Sequence, residues 1–369
     1  MSTTDRSTTA LHQWHVDHGG RMVDFAGWDL PVFYPTGALA EHHATRASVG
    51  MFDIDHMGQI AVRGPGARSA VDRLVTSDIA GLEVGTSRYG LLCNDDGGVV
   101  DDLFVYALAE EHFLVVVNAA NRDVDFAWIV DGVGDRAEVT DESSRLEMIA
   151  VQGPRAVELV DHAAGGGLLE LPRFAAGRAS LFGTDAIVGR TGYTGEDGVE
   201  LYLDGGVVEV WTGLLELAEA QSIDAIPVGL SARDSLRFEP GYPLYGHELG
   251  LDINPFEARL SWAVHLDGDD FVGRNALRAH KAAGLSRRLE TIVLADKGVP
   301  REGSVVLDPD GTPLGTVVSG MLAPTADVFA ANVFLPRSHG EVGTELLIDI
   351  RGRHKTATVT KRPLYRAGK

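Results

Sequence analysis

One supersecondary unit occurs twice in this chain and sets the class of fold it can adopt. Ala61-Val62-Arg63-Gly64-Pro65-Gly66 runs into Ala67-Arg68-Ser69-Ala70-Val71, and Ala150-Val151-Gln152-Gly153-Pro154-Arg155 runs into Ala156-Val157-Glu158-Leu159-Val160. Each reads as a strand stopping at Gly-Pro, with proline opening a helix where its missing N–H costs nothing. Two such units imply a pseudo-duplicated α+β body. At 369 residues the chain is also too long for one compact core, which predicts two or three packed domains.

The rest of the pattern fills in around the two units. Residues before 45 read as two helices around a Gly19-Gly20 break, then an aromatic loop from Phe25 to Pro31. Asp102 to Tyr106 and Phe113 to Asn118 read as strands joined by an Ala109–His112 turn. Ser180 to Leu203 reads as strands and tight turns, Val207 to Ala220 and Asn275 to Ala283 as helices. Beyond Arg288 only short strands between Gly, Pro and Asp turns remain, the signature of a separate β-barrel or sandwich.

Composition removes whole classes of function. A formal net charge of −21 opposes non-specific nucleic-acid binding, which needs a basic surface. No apolar run has the length of a membrane-spanning helix, and polar Met1 to Arg6 does not read as a secretory signal, so the expected location is the cytoplasm. A single cysteine, Cys93, excludes an intramolecular disulfide and a thiolate metal cluster. The adjacent His42-His43 pair cannot clamp one metal from a helix, so helix-surface or interdomain roles are expected for both. Dinucleotide, phosphate-loop and nucleophile-elbow motifs are missing from the sequence.

Four segments carry chemistry. In Asn94-Asp95-Asp96-Gly97-Gly98-Val99-Val100-Asp101-Asp102, turn chemistry explains the first part but not two carboxylates opening an apolar strand. Alternation sends Asp101 and Asp102 to opposite faces, so one faces inward, where an unpaired carboxylate would cost several kcal/mol. In Arg190 to Glu200, the glycines at 192, 195 and 198 let backbone approach something closely, and Glu200 shares a strand face with Tyr202. Arg233 and Arg237 lie four apart on one helical face, where they could cap a helix or bind a carboxylate. Pro243 to Leu249 is a loop rich in cleft-lining groups.

Together these segments resemble the glycine cleavage system T-protein (aminomethyltransferase) family, nearly end to end. The resemblance includes Met22 to Trp28, Phe52 to Gly58, Gly97 to Leu103, Val151 to Pro154, Gly192 to Glu200, Ala232 to Arg237, Pro243 to Leu249 and Phe271 to Arg274. It implies an α+β, three-domain cloverleaf around a tetrahydrofolate cavity. Residues 1–55 and 143–255 would form a discontinuous central α+β folate-binding domain, and 56–142 a second α+β domain. Residues 275–369 would form a C-terminal antiparallel β-barrel or jelly-roll-like domain.

The resemblance also assigns roles. Asp102 matches the essential carboxylate, with Asp101 as its outward neighbour. Tyr89, Tyr193, Glu200 and Arg233 match folate-contacting positions, and Met57, Val116, Tyr245 and Trp262 match positions lining the cavity. Arg366 matches a C-terminal basic residue near the site. In the family the aminomethyl group arrives on the lipoyl arm of H-protein and leaves as methylenetetrahydrofolate with ammonia, without a metal. A fixed carboxylate suits the cationic iminium this passes through.

The chain departs from the family pattern in places. Asp55 replaces the usual serine before His56-Met57, Gly90 replaces Thr or Ser after Tyr89, and Leu322 to Thr325 replaces a Ser-Pro-Thr pattern. An added anion near the transfer point would suit a permanently cationic donor. Asp55 is therefore a donor-site candidate, and a folate-dependent demethylase of a small methylated amine or sulfonium compound is the alternative function. A non-catalytic folate-binding accessory protein is a further alternative; its Lys-Gly-Cys-type motif is missing here.

Overall fold

The computed structural model describes residues 6–368, so Met1–Asp5 of the polar N-terminus, and Lys369, lie outside it. Both Gly-Pro units join a strand to a helix as expected, with Pro65 and Pro154 in the turn immediately ahead of the helix cap rather than in the helix. The Gly58–Arg63 strand leads through Gly64 into the Ala67–Leu74 helix, and the Leu146–Gln152 strand leads through Gly153 into the Ala156–Ala164 helix. Gly64 and Gly153 sit at φ 116° and 131°, where glycine is strongly favoured. At Gly153 a Cβ would also stand 2.1 Å from the Ser48 carbonyl oxygen.

Each unit belongs to its own sheet. The five-stranded antiparallel sheet runs Ser87–Cys93, Val99–Ala109, His112–Val117, Gly58–Arg63, Glu138–Asp141. The six-stranded sheet runs Ala176–Leu181, Thr184–Gly189, Gly198–Asp204, Leu146–Gln152, Val49–Asp53, Ala225–Pro227, with its last pair parallel. Alternation along the strands builds three apolar layers. Val199, Leu201 and Leu203 pack outward on Trp211 and Leu214 of the Val207–Ala220 helix. Leu103, Val105 and Ala107 pack outward on Val71 and Ile129 of helices Ala67–Leu74 and Arg122–Val133. Between the sheets, Phe104, Tyr106 and Val116 of one meet Phe52, Met148 and Tyr202 of the other.

The C-terminal part is a closed six-stranded antiparallel barrel, from Arg287–Leu294 to Arg353–Thr360, which pair with each other to close it. Its interior is aliphatic, with Ile292, Val333, Leu346 and Val359 among the buried residues. His42 has the interdomain role expected of it: fully buried, it meets Ser235 at 2.7 Å and Thr325, at the barrel edge, at 2.8 Å. No helix among the described residues is long and apolar enough to cross a membrane.

The N-terminal reading needs correction. Among the described residues only His12–Asp17 is helical before the Gly-Gly break, and the aromatic loop is a hairpin of Met22–Phe25 with Trp28–Pro31. Ala26 and Gly27 both take positive φ, 51° and 82°, giving a two-residue turn that matches strand twist. The second helix, Ala38–Ala47, follows the hairpin.

Candidate active site

The site is built where the two sheets face each other, and strand alternation explains its first member. On Val99–Ala109 the even residues Phe104 and Tyr106 point between the sheets, so Asp102 does too. Tyr89, on the paired Ser87–Cys93 strand, donates its hydroxyl to Asp102 Oδ2 at 2.9 Å, and Asn118 Nδ2 donates to Asp102 Oδ1 at 2.8 Å. Burial, reinforced by the neighbouring Asp101, pushes the Asp102 carboxyl up to about 7, against the pull of those two donors. Burial and Asp102 raise the Tyr89 phenol well above its ordinary range, so it remains a donor. The Tyr89 ring stacks on Trp262, centroids 5.2 Å apart, and Trp262 is 69% exposed at the rim.

Asp101 is not the outward neighbour expected. It lies on the odd face, under the Arg122–Val133 helix, and is fully buried. Its carboxylate accepts three N–H groups: Asn118 N at 3.0 Å, Asn118 Nδ2 at 2.9 Å and Asn121 Nδ2 at 2.9 Å. Both carboxylates opening the strand therefore turn inward, in different directions, and the Asn118 amide bridges them. Tyr245, on its loop, has Asn121 within hydrogen-bonding reach and Asp101 among the charges that raise its phenol.

Glu200 stands on the opposing sheet, on the face it shares with Tyr202, as its strand position requires. Its Oε2 accepts Thr191 Oγ1 at 2.6 Å and Tyr106 Oη at 3.3 Å, while Oε1 meets no protein donor among the described residues. A carboxylate with one oxygen held and the other open can receive N–H donors from a ligand. The close approach expected of the glycine-rich segment is to Gln152. A Cβ at Gly192 would stand 1.8 Å from Gln152 Oε1, and that side chain bonds Thr191 O and Thr194 Oγ1.

Arg233 and Arg237 divide the roles left open for them. Fully buried Arg237 pairs with Glu248 at 3.0 Å and Asp234 at 2.7 Å and reaches Ser319 of the barrel, a structural tie. Arg233 makes no ion pair among the described residues; its guanidinium lies 4.9 Å over the Tyr193 ring. Tyr193 is fixed in turn by donating its hydroxyl to the Pro243 carbonyl and by stacking on Tyr242. A half-buried cation without a carboxylate partner is suited to an anionic or electron-rich part of a ligand. Met57 and Val116 lie in the apolar layer between the sheets, beside Phe104 and Tyr106.

The two donor-site candidates have other surroundings. Asp55 Oδ1 accepts Met148 N at 2.9 Å, and Asp53 and Glu147 are the like charges that, after burial, raise its carboxyl to about 7. No direct contact among the described residues joins Asp55 to Asp102, Glu200 or Arg233. Arg366 is exposed beyond Tyr365. Gly90 has a packing explanation, since a Cβ there would stand 2.2 Å from Val75 Cγ1 and 2.7 Å from Ser77 Oγ. The sequence reading assigned no role to Asn118, Asn121, Thr191 or Tyr106. The first two had a signal, two amides three apart immediately after an apolar strand and ahead of a helix with an aspartate at 125.

Two facing sheets with a half-buried carboxylate on one wall and a second carboxylate on the other, an unpaired guanidinium near them and a six-stranded barrel beside them, define a ligand-binding class of protein. Comparison with known proteins agrees over nearly the whole chain. Residues 11–268 match the GCVT N-terminal domain family and residues 287–366 the glycine cleavage T-protein C-terminal barrel domain. An aminomethyltransferase of Herpetosiphon aurantiacus is 42% identical, over 97% of this chain and 98% of its own. One from Symbiobacterium thermophilum is also 42% identical, over 97% of both chains. The crystal structure of glycine cleavage system aminomethyltransferase T from Bartonella henselae superposes with a TM-score of 0.90 at 34% identity, covering 97% of this chain and 98% of that one. The chain belongs to the glycine cleavage T-protein family.

Proposed function

We propose that this chain is a tetrahydrofolate-dependent aminomethyltransferase. It would take the aminomethyl group from the lipoyl arm of H-protein, pass its carbon to tetrahydrofolate and release ammonia. The observation that carries the reading is Asp102, a carboxylate oriented on both oxygens and still able to face a ligand. Tetrahydrofolate supplies the nitrogen that accepts the carbon. Asp102 holds the anionic charge that favours a cationic one-carbon unit and orients the accepting amine. Glu200 Oε1 accepts from the donor edge of the pterin and Arg233 with Tyr193 fixes its plane. Tyr89, Trp262, Tyr245, Met57 and Val116 line the opening. Residues 1–55 with 143–255, 56–142 and 275–369 are the three domains. The formal net charge of −21 favours a cytoplasmic protein without affinity for nucleic acid.

The test is reconstitution with tetrahydrofolate and aminomethylated H-protein and, separately, with methylated amines and sulfonium compounds. Ammonia with methylenetetrahydrofolate in the first mixture supports the reading. Methyltetrahydrofolate in the second would replace it with a demethylase, and folate binding without turnover in either would leave an accessory protein.

A further inference from the structure

Behind Asp102 lies a carboxyl that the proposed reaction does not use. Asp125, on the Arg122–Val133 helix, is fully buried, and neither of its oxygens meets an N–H or O–H donor among the described residues. Its neighbour is the Asp101 carboxyl, within hydrogen-bonding reach and likewise an acceptor. Two buried carboxylates at hydrogen-bonding distance repel each other, whereas a carboxylic acid and a carboxylate share a strong hydrogen bond. Which of them holds the proton follows from the other contacts. Asp101 accepts three N–H groups, as an ionised carboxylate does, and Asp125 accepts none.

We propose that Asp125 is a positioning residue of the transfer site, carrying a proton at neutral pH and donating it to Asp101. Asp101 then completes four donated hydrogen bonds and fixes the side chains of Asn118 and Asn121. Asn118, held this way round, offers the same amide nitrogen to Asp102 Oδ1, leaving Oδ2 to Tyr89. The groups around Asp125 agree. Asp101 lies against it from the Val99–Ala109 strand, with Asp102 the next carboxyl along that strand, and Tyr245 neighbours it from the Pro243–Leu249 loop. Burial, then the Asp101 charge, pushes the Asp125 carboxyl far above the carboxylate range, which fits a retained proton. The proton also keeps the buried pair at one negative charge, so Asp102 faces one anion behind it and not two.

The inference rests on Asp102 being the reacting carboxylate only for its rate readout; the proton itself is visible without turnover. Infrared spectra of the full-length protein at about pH 9, where the Asp55 and Asp102 carboxyls near 7 are ionised, should contain the carbonyl stretch of a protonated carboxylic acid, and Asp125→Asn should remove it. A band that survives Asp125→Asn, or is missing from the wild type, overturns the proposal. In the aminomethyl-transfer assay, Asp125→Asn keeps a donor toward Asp101 and Asp125→Leu does not. The Asn variant should therefore exceed the Leu variant in kcat by about tenfold, the worth of one hydrogen bond to a charged group. The acidic limb of kcat/KM should stay in place in Asp125→Asn, because no charge is removed. A limb displaced downward by a unit would mean that Asp125 is ionised, and equal rates in the two variants would mean that the donated hydrogen bond is immaterial. If the Leu variant fails to fold, the infrared band and the Asn profile still decide.

Discussion

Tyr89→Phe isolates what holds Asp102 ready. The substitution removes one O–H donor at 2.9 Å from a carboxylate that burial has already raised to about 7. A hydrogen bond to a charged group is worth about 1.5–3 kcal/mol, and one pKa unit is about 1.4 kcal/mol, so losing it raises Asp102 by about one to two units. Asn118 still holds the other oxygen and water can reach the partly exposed side, so the lower end, about one unit, applies. At pH 7 the ionised fraction of Asp102 then falls from about a half to about a tenth, and kcat/KM falls about fivefold. At pH 9 both proteins are almost fully ionised and that part of the deficit disappears. Any loss of ring contact with folate is a pH-independent offset, so the shape of the profile separates the two effects. The assay is kcat/KM for aminomethyl transfer from pH 5.5 to 9.5, chosen as roughly the span over which a carboxyl near 7 titrates fully. An acidic limb that stays in place, or moves to lower pH, refutes the argument that the Tyr89 hydroxyl stabilises the ionised form.

Three further expectations follow from the same structure. Glu200→Gln keeps the Thr191 contact but removes the charge from the open oxygen, so tetrahydrofolate binding by calorimetry should weaken about 10- to 100-fold, one charge-assisted hydrogen bond. Gly90→Ser brings a Cβ to 2.2 Å from Val75 Cγ1 and should cost about 1–3 kcal/mol in urea unfolding, with Val75→Ala restoring much of it. At the barrel interface, burial alone would raise the Glu239 carboxyl, but His42 and Arg46 draw it down to about 2. A depressed carboxyl stabilises the fold above its unfolded value and loses that stability as pH falls from about 4.5 toward 2, up to about 3 kcal/mol here. Glu239→Gln should therefore be less stable at pH 7 and show a flatter loss across that acid window.

Much of this was legible in the residues because it depends on local period and turn chemistry. The Gly-Pro units announced two strand–helix joints, and alternation put Glu200 beside Tyr202. Alternation also separated Asp101 from Asp102, but it could not say what covers each face. Asp101 was misread as outward because its cover, the Arg122–Val133 helix, follows it by two strand lengths and meets it only in the folded sheet. Arg233 and Arg237 share a helical face, and only the distant Glu248 and Ser319 distinguish the structural arginine from the open one. Asp55 stands next to His56 and Met57 in the sequence. Its tie to Met148 on a neighbouring strand is a long-range hydrogen bond with no local signature. The Phe25–Pro31 segment was read as a loop because strands of four residues around Ala26-Gly27 offer almost no periodicity.

The central claim is that Asp102 is the carboxylate at which the one-carbon unit is transferred. Asp102→Asn keeps the shape and one partner for Tyr89 but cannot carry the charge. Methylenetetrahydrofolate formation from aminomethylated H-protein should fall about 100-fold or more at about pH 9, where Asp102 is ionised, as on removal of a preorganised charge, while tetrahydrofolate binding by calorimetry is retained within about threefold. Transfer by Asp102→Asn at a rate near that of the wild type would contradict the account outright.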